Sequence, residues 1–193
     1  DDVESRGLGD VYKRQIINIS KCYNCRYRSA YSKLRRKVMG VFKKEIQVNC
    51  PIEGKVYPLE YCPDEVFSKG MTGEGVVIFP TGNRVVAPID GKINFIFSSK
   101  HAIVLKGQGI EFLIHVGLDT NQLNGDGFKI FVDPDQVVKQ GDILLTFDSE
   151  ILKKHRCIDA TPFVFTNLNR KNITVNRYGM VNLNEPFIIV ERG

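Results

Sequence analysis

Apolar residues in this chain occur in short runs separated by turn residues. From residue 45 onward, each run is bounded by clusters such as Pro80-Thr-Gly-Asn83 and Pro88-Ile-Asp-Gly91. The predicted strands cover 76–79, 84–87, 92–97, 142–147 and 187–190. Alternation in the third of these predicts Ile93, Phe95 and Phe97 on one face. Short strands punctuated by Gly and Pro indicate an all-β protein, an antiparallel sandwich or barrel. One short helix is predicted over 149–156, with Ser149 as its N-cap.

A β-hairpin is predicted where residues 101–106 and 110–116 flank Gly107-Gln108-Gly109. A three-residue turn centred on Gln108 would place His101 directly opposite His115. Directly opposed antiparallel residues hold their Cβ atoms about 4.5–5.5 Å apart on one face of the sheet. A two-residue turn would instead shift the register and send the two histidines to opposite faces.

Alternation in the second arm places Ile110, Phe112, Ile114 and Val116 on the core face and His115 on the other. Two facing imidazoles can share one ligand, one proton or one phosphoryl group. A structural role for both histidines is the alternative. His155, in the predicted helix, is interpreted as an exposed residue.

The positive charge of the chain is confined to its first fifth. The whole chain has 27 Lys and Arg against 22 Asp and Glu, a net charge of +5. Residues 1–38 hold ten basic and four acidic residues, whereas 39–193 hold seventeen and eighteen. This distribution argues against a nucleic-acid-binding domain.

The first 38 residues do not resemble the rest of the domain. Residues 10–15, Asp-Val-Tyr-Lys-Arg-Gln, match the translation of a sequencing adapter, and 35–38 precede Met39 as a translated ribosome-binding site would. We therefore expect 1–38 to be a disordered, non-native leader, 39–47 a basic lead-in, and 48–193 the functional domain. The alternative is a genuine basic arm, in which Cys22 and Cys25 would form half of a zinc site.

The remaining cysteines, Cys50, Cys62 and Cys157, are scattered, which favours a reducing cytosol over a disulfide scaffold. No stretch approaches about 18 consecutive apolar residues, so no transmembrane helix is expected. A cytoplasmic location is predicted. Residues 51–56, Pro-Ile-Glu-Gly-Lys-Val, echo 88–93, Pro-Ile-Asp-Gly-Lys-Ile, which indicates either a duplicated strand-turn unit or chance similarity.

Several segments together resemble the glucose-type enzyme IIA domain of the bacterial phosphoenolpyruvate-dependent sugar phosphotransferase system. The most specific block is 111–120, which includes Ile-His-Val-Gly-Leu-Asp-Thr, with an upstream histidine in Ser99-Lys-His101. The other matching segments are 63–67, 73–75, 80–83, 86–91, 125–128, 138–142 and 161–162, so the resemblance spans roughly 48–192.

The resemblance implies a β-sandwich of the duplicated hybrid motif type whose site is a shallow docking surface. His115 matches the histidine that becomes phosphorylated, and His101 matches the second histidine, which hydrogen-bonds the phosphoryl group. Ser99 lies where family members commonly carry Thr and would act as a relay hydroxyl. The match also suggests the Gly117 carbonyl as the hydrogen-bond acceptor for the second ring nitrogen of His115. The partner-binding positions implied by the match are Asp64, Val66, Phe67, Phe97 and Asp119. The alternative for the two aspartates is that they merely cap turns.

The resemblance also implies the partners. The phosphoryl donor would be the phosphorylated histidine-containing phosphocarrier protein HPr, and the acceptor a cysteine of a glucose-type IIB domain of a membrane permease. Neither a cofactor nor a metal is required, although His101 and His115 could bind zinc incidentally. No nucleic acid and no direct membrane insertion are expected.

Two other readings compete with the phosphocarrier. The segments 86–93 and 138–142 resemble biotinyl and lipoyl carrier domains, but no modified Lys at a hairpin tip is visible, and Lys106 lacks the required context. A zinc hydrolase would need a third protein ligand and an open water position. His155 and Asp119 are the nearest candidates, and neither has convincing spacing.

Overall fold

The computed structural model describes residues 45–168 and 171–191. The predicted leader over 1–38 lies outside the described residues, as does most of the predicted lead-in over 39–47. The first strand begins at Glu45 and already buries Ile46. The domain boundary predicted at residue 48 therefore falls inside this strand.

The described residues form mainly short strands joined by tight turns. The strands are β1 Glu45–Asn49, β2 Gly54–Pro58, β3 Glu74–Pro80, β4 Arg84–Val86, β5 Gly91–Ile96, β6 Ala102–Gly107, β7 Ile110–His115, β8 Phe128–Ile130, β9 Val137–Val138, β10 Ile143–Phe147, β11 Thr161–Asn167, β12 Asn172–Val175, β13 Gly179–Val181 and β14 Pro186–Glu191. The helices are α1 Glu65–Ser68 and α2 Ser149–Lys154, with 3-10 turns at Leu59–Tyr61 and Thr120–Leu123. The predicted all-β class with one or two short helices is confirmed.

The strands assemble into three antiparallel sheets in the described part of the chain. The largest has the order β13-β2-β3-β11-β7-β6-β5-β9, and the two smaller sheets have the orders β1-β14-β12 and β4-β10-β8. One continuous apolar core joins residues of all three sheets. The large sheet contributes Ile103, Phe112, Ile114 and Phe163, each essentially inaccessible to solvent. The opposite face of β7 is therefore left to carry His115, as the alternation predicts.

The hairpin between β6 and β7 closes with a two-residue turn. Gly107 pairs with Ile110, so only Gln108 and Gly109 lie in the loop. Both have positive φ, 52° and 76°, the combination that defines a type I′ turn. The predicted three-residue turn was therefore wrong, and His115 pairs with Ala102 rather than with His101.

A β-bulge in β5 changes the predicted face of its aromatic residues. Ile93 pairs with Leu105 but Phe95 pairs with the adjacent Val104, so one residue is inserted between them. Ile93 is buried in the core, whereas Phe95 is 52% exposed on the other face. The prediction that these two side chains share a face was wrong because the bulge interrupts the alternation.

The weak sequence repeat coincides with a repeated hydrogen-bond pattern. Asn49 N donates to Pro88 O at 3.0 Å, and Val86 N donates to Pro51 O at 2.9 Å. In the repeat, Asn49 corresponds to Val86 and Pro51 corresponds to Pro88. Each segment therefore donates one backbone hydrogen bond to the proline carbonyl of the other segment. The duplicated strand-turn unit is the interpretation this pattern favours.

The predicted helix over 149–156 forms as α2, but its N-cap lies one residue earlier than expected. The Asp148 carboxylate accepts from the backbone N–H groups of Glu150 and Ile151. Ser149 was therefore wrong as the N-cap and is the first helical residue. In the described part of the chain, no helix has the length and apolar character needed to cross a membrane.

Candidate functional site

His101 and His115 meet although their backbones are not partners. A regular continuation of β6 would place His101 on the core face, together with Ile103. The chain instead bends before β6, where Lys100 adopts a φ of 60° in a turn closed by its N–H bond to Phe97 O. The bend brings the Nε2 atoms of the two histidines to 3.1 Å.

The hydrogen bonds around the pair fix the proton positions on both rings. His115 Nδ1 lies 2.8 Å from the carbonyl oxygen of Gly117, which can only accept. Nδ1 of His115 therefore carries the proton, and its Nε2 has a free lone pair. That lone pair accepts from Nε2–H of His101, whose Nδ1 in turn accepts from the Ser99 hydroxyl at 2.7 Å.

Both histidines are neutral in this arrangement. Burial and, to a smaller extent, the neighbouring His115 lower the pKa of His101 to about 4, although a hydrogen bond with the Ser99 backbone opposes the shift. Burial also lowers the pKa of His115, while the Gly117 carbonyl and the Asp64 carboxylate oppose that shift. An unprotonated imidazole with one free nitrogen is a nucleophile at neutral pH.

Helix α1 covers one side of the pair. Asp64 caps this helix by accepting from the N–H groups of Val66 and Phe67. The cap holds the ring of Phe67 edge-on to His115, with 5.2 Å between ring centroids. Phe67 is buried by this contact, whereas Val66 is 47% exposed beside it.

Two aromatic rings of β5 and its following turn line the other side. Phe97 lies 5.6 Å from the ring of His101, and Phe95 packs against Phe97 with centroids 5.1 Å apart. The bulge of β5 places Phe95 at this surface. The histidines therefore lie between two apolar walls, Phe67 on one side and Phe97 with Phe95 on the other.

Comparison with known proteins identifies the family of the chain. Residues 46–171 match the family model described as phosphoenolpyruvate-dependent sugar phosphotransferase system, EIIA 1. The chain belongs to this family. A similar solved structure is the glucose permease IIA from Mycoplasma capricolum, with a TM-score of 0.73 and 37% sequence identity. The match covers 78% of this chain and 99% of that one.

The chain is thus a glucose-type EIIA domain, a phosphotransferase component of sugar transport, as the resemblance predicts. Of the residues predicted for its site, the structure brings together His115, His101, Ser99, Phe67 and Phe97 through direct contacts. Asp64 joins them as the N-cap of α1. Its side chain therefore has the capping role that the sequence analysis gave as the alternative to partner binding.

Asp119 differs from Asp64 in its local geometry. Its side chain makes no capping hydrogen bond at the 3-10 turn that follows it. The residue is exposed and has a φ of 60°, an uncommon conformation outside glycine. The capping alternative therefore fails for Asp119, and its role in binding a partner stays a prediction.

Sequence reasoning missed the roles of two residues around the pair, Phe95 and Thr120. The alternation placed Phe95 on the same face as Ile93, because the bulge leaves no mark in the sequence pattern. Gly117 supplies its carbonyl to His115 from a backbone with a φ of 72°. Thr120 is fully buried beneath that loop. Gly117 was not missed, because the family resemblance suggests its carbonyl as the acceptor for His115, and the 2.8 Å contact with Nδ1 agrees with that suggestion.

Metal binding has no further support within the described residues, which contain no group of three or more His, Cys, Asp or Glu side chains placed to hold an ion. The incidental zinc site at the histidine pair stays a prediction. A separate cleft, lined by residues such as Lys129, Thr146 and Ser149, contains neither histidine. The histidines lie outside this cleft, and their use as a docking site stays a prediction.

Proposed function

We propose that His115 accepts a phosphoryl group from phosphorylated HPr and passes it to a cysteine of a glucose-type IIB domain. The observation that supports this most directly is the 3.1 Å contact between the Nε2 atoms of His101 and His115, with Nδ1 of His115 held by Gly117 O. This geometry leaves one nitrogen of His115 as the nucleophile, and that nitrogen faces a hydrogen-bond donor.

In the first step the Nε2 lone pair of His115 attacks the phosphorus of the donor's phosphohistidine. The new N–P bond forms as the donor's N–P bond breaks, and the donor nitrogen retains the bonding electron pair. His101 then donates its Nε2–H to a phosphoryl oxygen instead of to His115. Positioning and charge stabilisation of this kind supply most of the catalysis in phosphoryl transfer.

The ring of His115 gains positive charge when its second nitrogen is phosphorylated, because Nδ1 keeps its proton. The Gly117 carbonyl accepts from that Nδ1–H. The Asp64 carboxylate also favours positive charge on the ring of His115. In the second step a IIB cysteine thiolate attacks phosphorus, and the ring regains its lone pair on Nε2.

Partner proteins would dock on the apolar surface around the pair. Val66 and Phe95 are 47% and 52% exposed there, although large apolar side chains are more often buried. A shallow surface suits a site that must receive a histidine from one protein and a cysteine from another. Glucose is the sugar that the similar permease domain suggests for the pathway, and we place the protein in the cytoplasm.

A phosphotransfer assay tests the proposal. The full chain is incubated with phosphoenolpyruvate, enzyme I and HPr, and the site is mapped by mass spectrometry. One acid-labile phosphate on His115 is expected in the wild type and none in His115→Ala. His101→Ala should accept phosphate but pass it to the IIB domain slowly.

His155→Ala is the matched control, because His155 is an exposed histidine at the end of α2. It should transfer phosphate like the wild type. A folded wild-type protein that gains no phosphate from an active donor would overturn the assignment of His115, as would a phosphate that persists in His115→Ala.

A further inference from the structure

Thr120 is a buried polar residue beneath the nucleophilic histidine. It is completely inaccessible to solvent, and its hydroxyl donates to the carbonyl oxygen of Val116 at 2.9 Å. The Gly117 oxygen lies 3.5 Å from the same hydroxyl, at the limit of a second contact. Thr120 thus reaches the loop that supplies the acceptor for His115.

The methyl group of Thr120 supports the same loop from below. A Cβ placed on Gly117 would lie 2.6 Å from Thr120 Cγ2, so the methyl occupies the space in which a side chain at 117 would stand. Gly117 has a φ of 72°, a conformation that glycine adopts without steric cost. The hydroxyl of Thr120 therefore binds the Val116 carbonyl, and its methyl group packs against Gly117, so both groups restrict the Val116–Gly117 backbone.

The next peptide is held at its other end. Leu118 N donates to Ile158 O at 2.7 Å, and the Gly117 carbonyl belongs to the same planar peptide unit as that N–H. One peptide of the loop is therefore anchored by Thr120 and the following one by Ile158. Between these two anchors the Gly117 carbonyl has little freedom to turn away from His115 Nδ1.

We infer that Thr120 is a positioning residue that sets the tautomer of His115 through the Val116–Gly117 backbone. The inference deepens the proposed function, on which its catalytic consequence rests. A carbonyl aimed at Nδ1 keeps the proton there and leaves Nε2 free to attack phosphorus. A carbonyl that can rotate away allows the proton to move to Nε2, and such molecules have no nucleophile facing His101.

Two variants separate the hydroxyl of Thr120 from its methyl group, and a third serves as the control. Thr120→Val keeps the shape and loses the hydroxyl, whereas Thr120→Ser keeps the hydroxyl and loses the methyl. Thr161→Val is the matched control, because Thr161 is equally buried and its hydroxyl also donates to a backbone carbonyl, that of Asp159, at 3.0 Å. This hydrogen bond lies outside the loop of residues 116–118.

The tautomer is read from long-range ¹H–¹⁵N NMR spectra of the unphosphorylated full chain at pH 7.5, and phosphoryl acceptance from phosphorylated HPr is timed separately. The wild type and Thr161→Val should show His115 with its proton on Nδ1. Thr120→Val should show a mixture of tautomers and accept phosphate about tenfold more slowly. Thr120→Ser should restore both properties.

Two results would overturn the inference. One is a folded Thr120→Val protein with His115 wholly in the Nδ1–H form and a wild-type transfer rate. The other is Thr120→Ser failing as badly as Thr120→Val, which would assign Thr120 to packing alone. A wild type that shows the expected tautomer but takes no phosphate would refute the proposed function and leave the positioning role standing.

Discussion

His101 and His115 are joined by their side chains and not by the β-ladder that carries them. Their Nε2 atoms lie 3.1 Å apart, yet the residue paired with His115 is Ala102. The chain bends at Lys100, immediately before β6, while the His101 carbonyl still accepts from the N–H of Val116. His101 is buried and His115 is partly buried, and burial favours the neutral form of both imidazoles, so the pair affects the stability of the protein in acid.

The buried His101 should make the protein less stable as the pH falls below 6.5. Its pKa is about 4 in the folded state, against about 6.5 in the unfolded chain. Below pH 6.5 the unfolded state binds a proton that the folded state does not, so the free energy of unfolding decreases until pH 4. The loss at pH 4.5 should be roughly 2 kcal/mol, measured by urea unfolding at pH 7.5 and 4.5.

In His101→Gln, the loss of unfolding free energy between pH 7.5 and 4.5 should be smaller than in the wild type by roughly 2 kcal/mol. Glutamine can still donate to His115 and accept from Ser99, but it does not titrate. His155→Gln serves as the control for removing a histidine from the surface and should keep the wild-type dependence. An equal loss of stability in wild type and His101→Gln would contradict the prediction.

Phe67→Ala should destabilise the fold and change the titration of His115. The ring is 7% exposed and lies edge-on to His115. Its removal should cost about 3 kcal/mol, as usual for a buried phenylalanine. Because water then reaches the imidazole, the pKa of His115 should rise toward 6.5, which an NMR titration would detect.

The neighbouring Val66 provides the comparison for that experiment. Val66→Ala should change the free energy of unfolding by about 0.5 kcal/mol or less, since the side chain is 47% exposed. The proposed docking role predicts a higher KM for phosphorylated HPr in this variant with an unchanged pKa of His115. Equal destabilisation by both substitutions would show that α1 does not pack as described.

The strands and the composition of the core follow from the sequence because period-2 alternation records which face is buried. Ile110, Phe112 and Ile114 were placed correctly for this reason. Register is a different matter, because it depends on the number of residues in a turn. Gln108 adopts a positive φ, which is uncommon for glutamine and is not indicated by the sequence. The two-residue turn was therefore predicted as a three-residue turn.

The site was predicted through family resemblance more than through geometry. Residue spacing alone would have separated the two histidines once the turn length was known. The bend at Lys100 and the bulge before Phe95 are single-residue irregularities, and neither interrupts the apolar pattern. The support that Thr120 gives to Gly117 depends on a backbone carbonyl, which carries no sequence signal of its own.

The bulge in β5 predicts opposite behaviour for two residues that simple alternation treats alike. Ile93→Ala should destabilise the protein by about 3 kcal/mol, because Ile93 is fully buried. Phe95→Ala should cost about 1 kcal/mol or less, since its ring is half exposed. Chemical unfolding of both variants measures the difference.

Phosphotransfer kinetics of the same variants extend the comparison. Phe95→Ala should raise the KM for a protein partner, whereas Ile93→Ala should leave it unchanged at temperatures where the protein is folded. A Phe95→Ala variant that is as unstable as Ile93→Ala would contradict the bulged register. A stable Phe95→Ala variant with an unchanged KM for both partners would remove Phe95 from the proposed docking surface.

Asp64 combines two roles that substitution can separate. Its carboxylate caps α1, and its charge favours the protonated form of His115. Asp64→Ser keeps an N-cap and removes the charge, whereas Asp64→Ala removes both. Asp64→Ala should lose about 1 kcal/mol of stability, and Asp64→Ser should lose much less.

The rate of phosphoryl transfer should not follow the same order as the stability of these two variants. If the charge stabilises the phosphorylated ring, both should accept phosphate several-fold more slowly, and the pKa of His115 should fall in both. Asp148→Ser is the matched control, because Asp148 caps α2 in the same way and its removal changes the net charge equally. It should transfer phosphate at the wild-type rate. A normal rate in Asp64→Ser with a slow Asp64→Ala would mean that Asp64 acts only by holding α1, and through it Phe67, against His115.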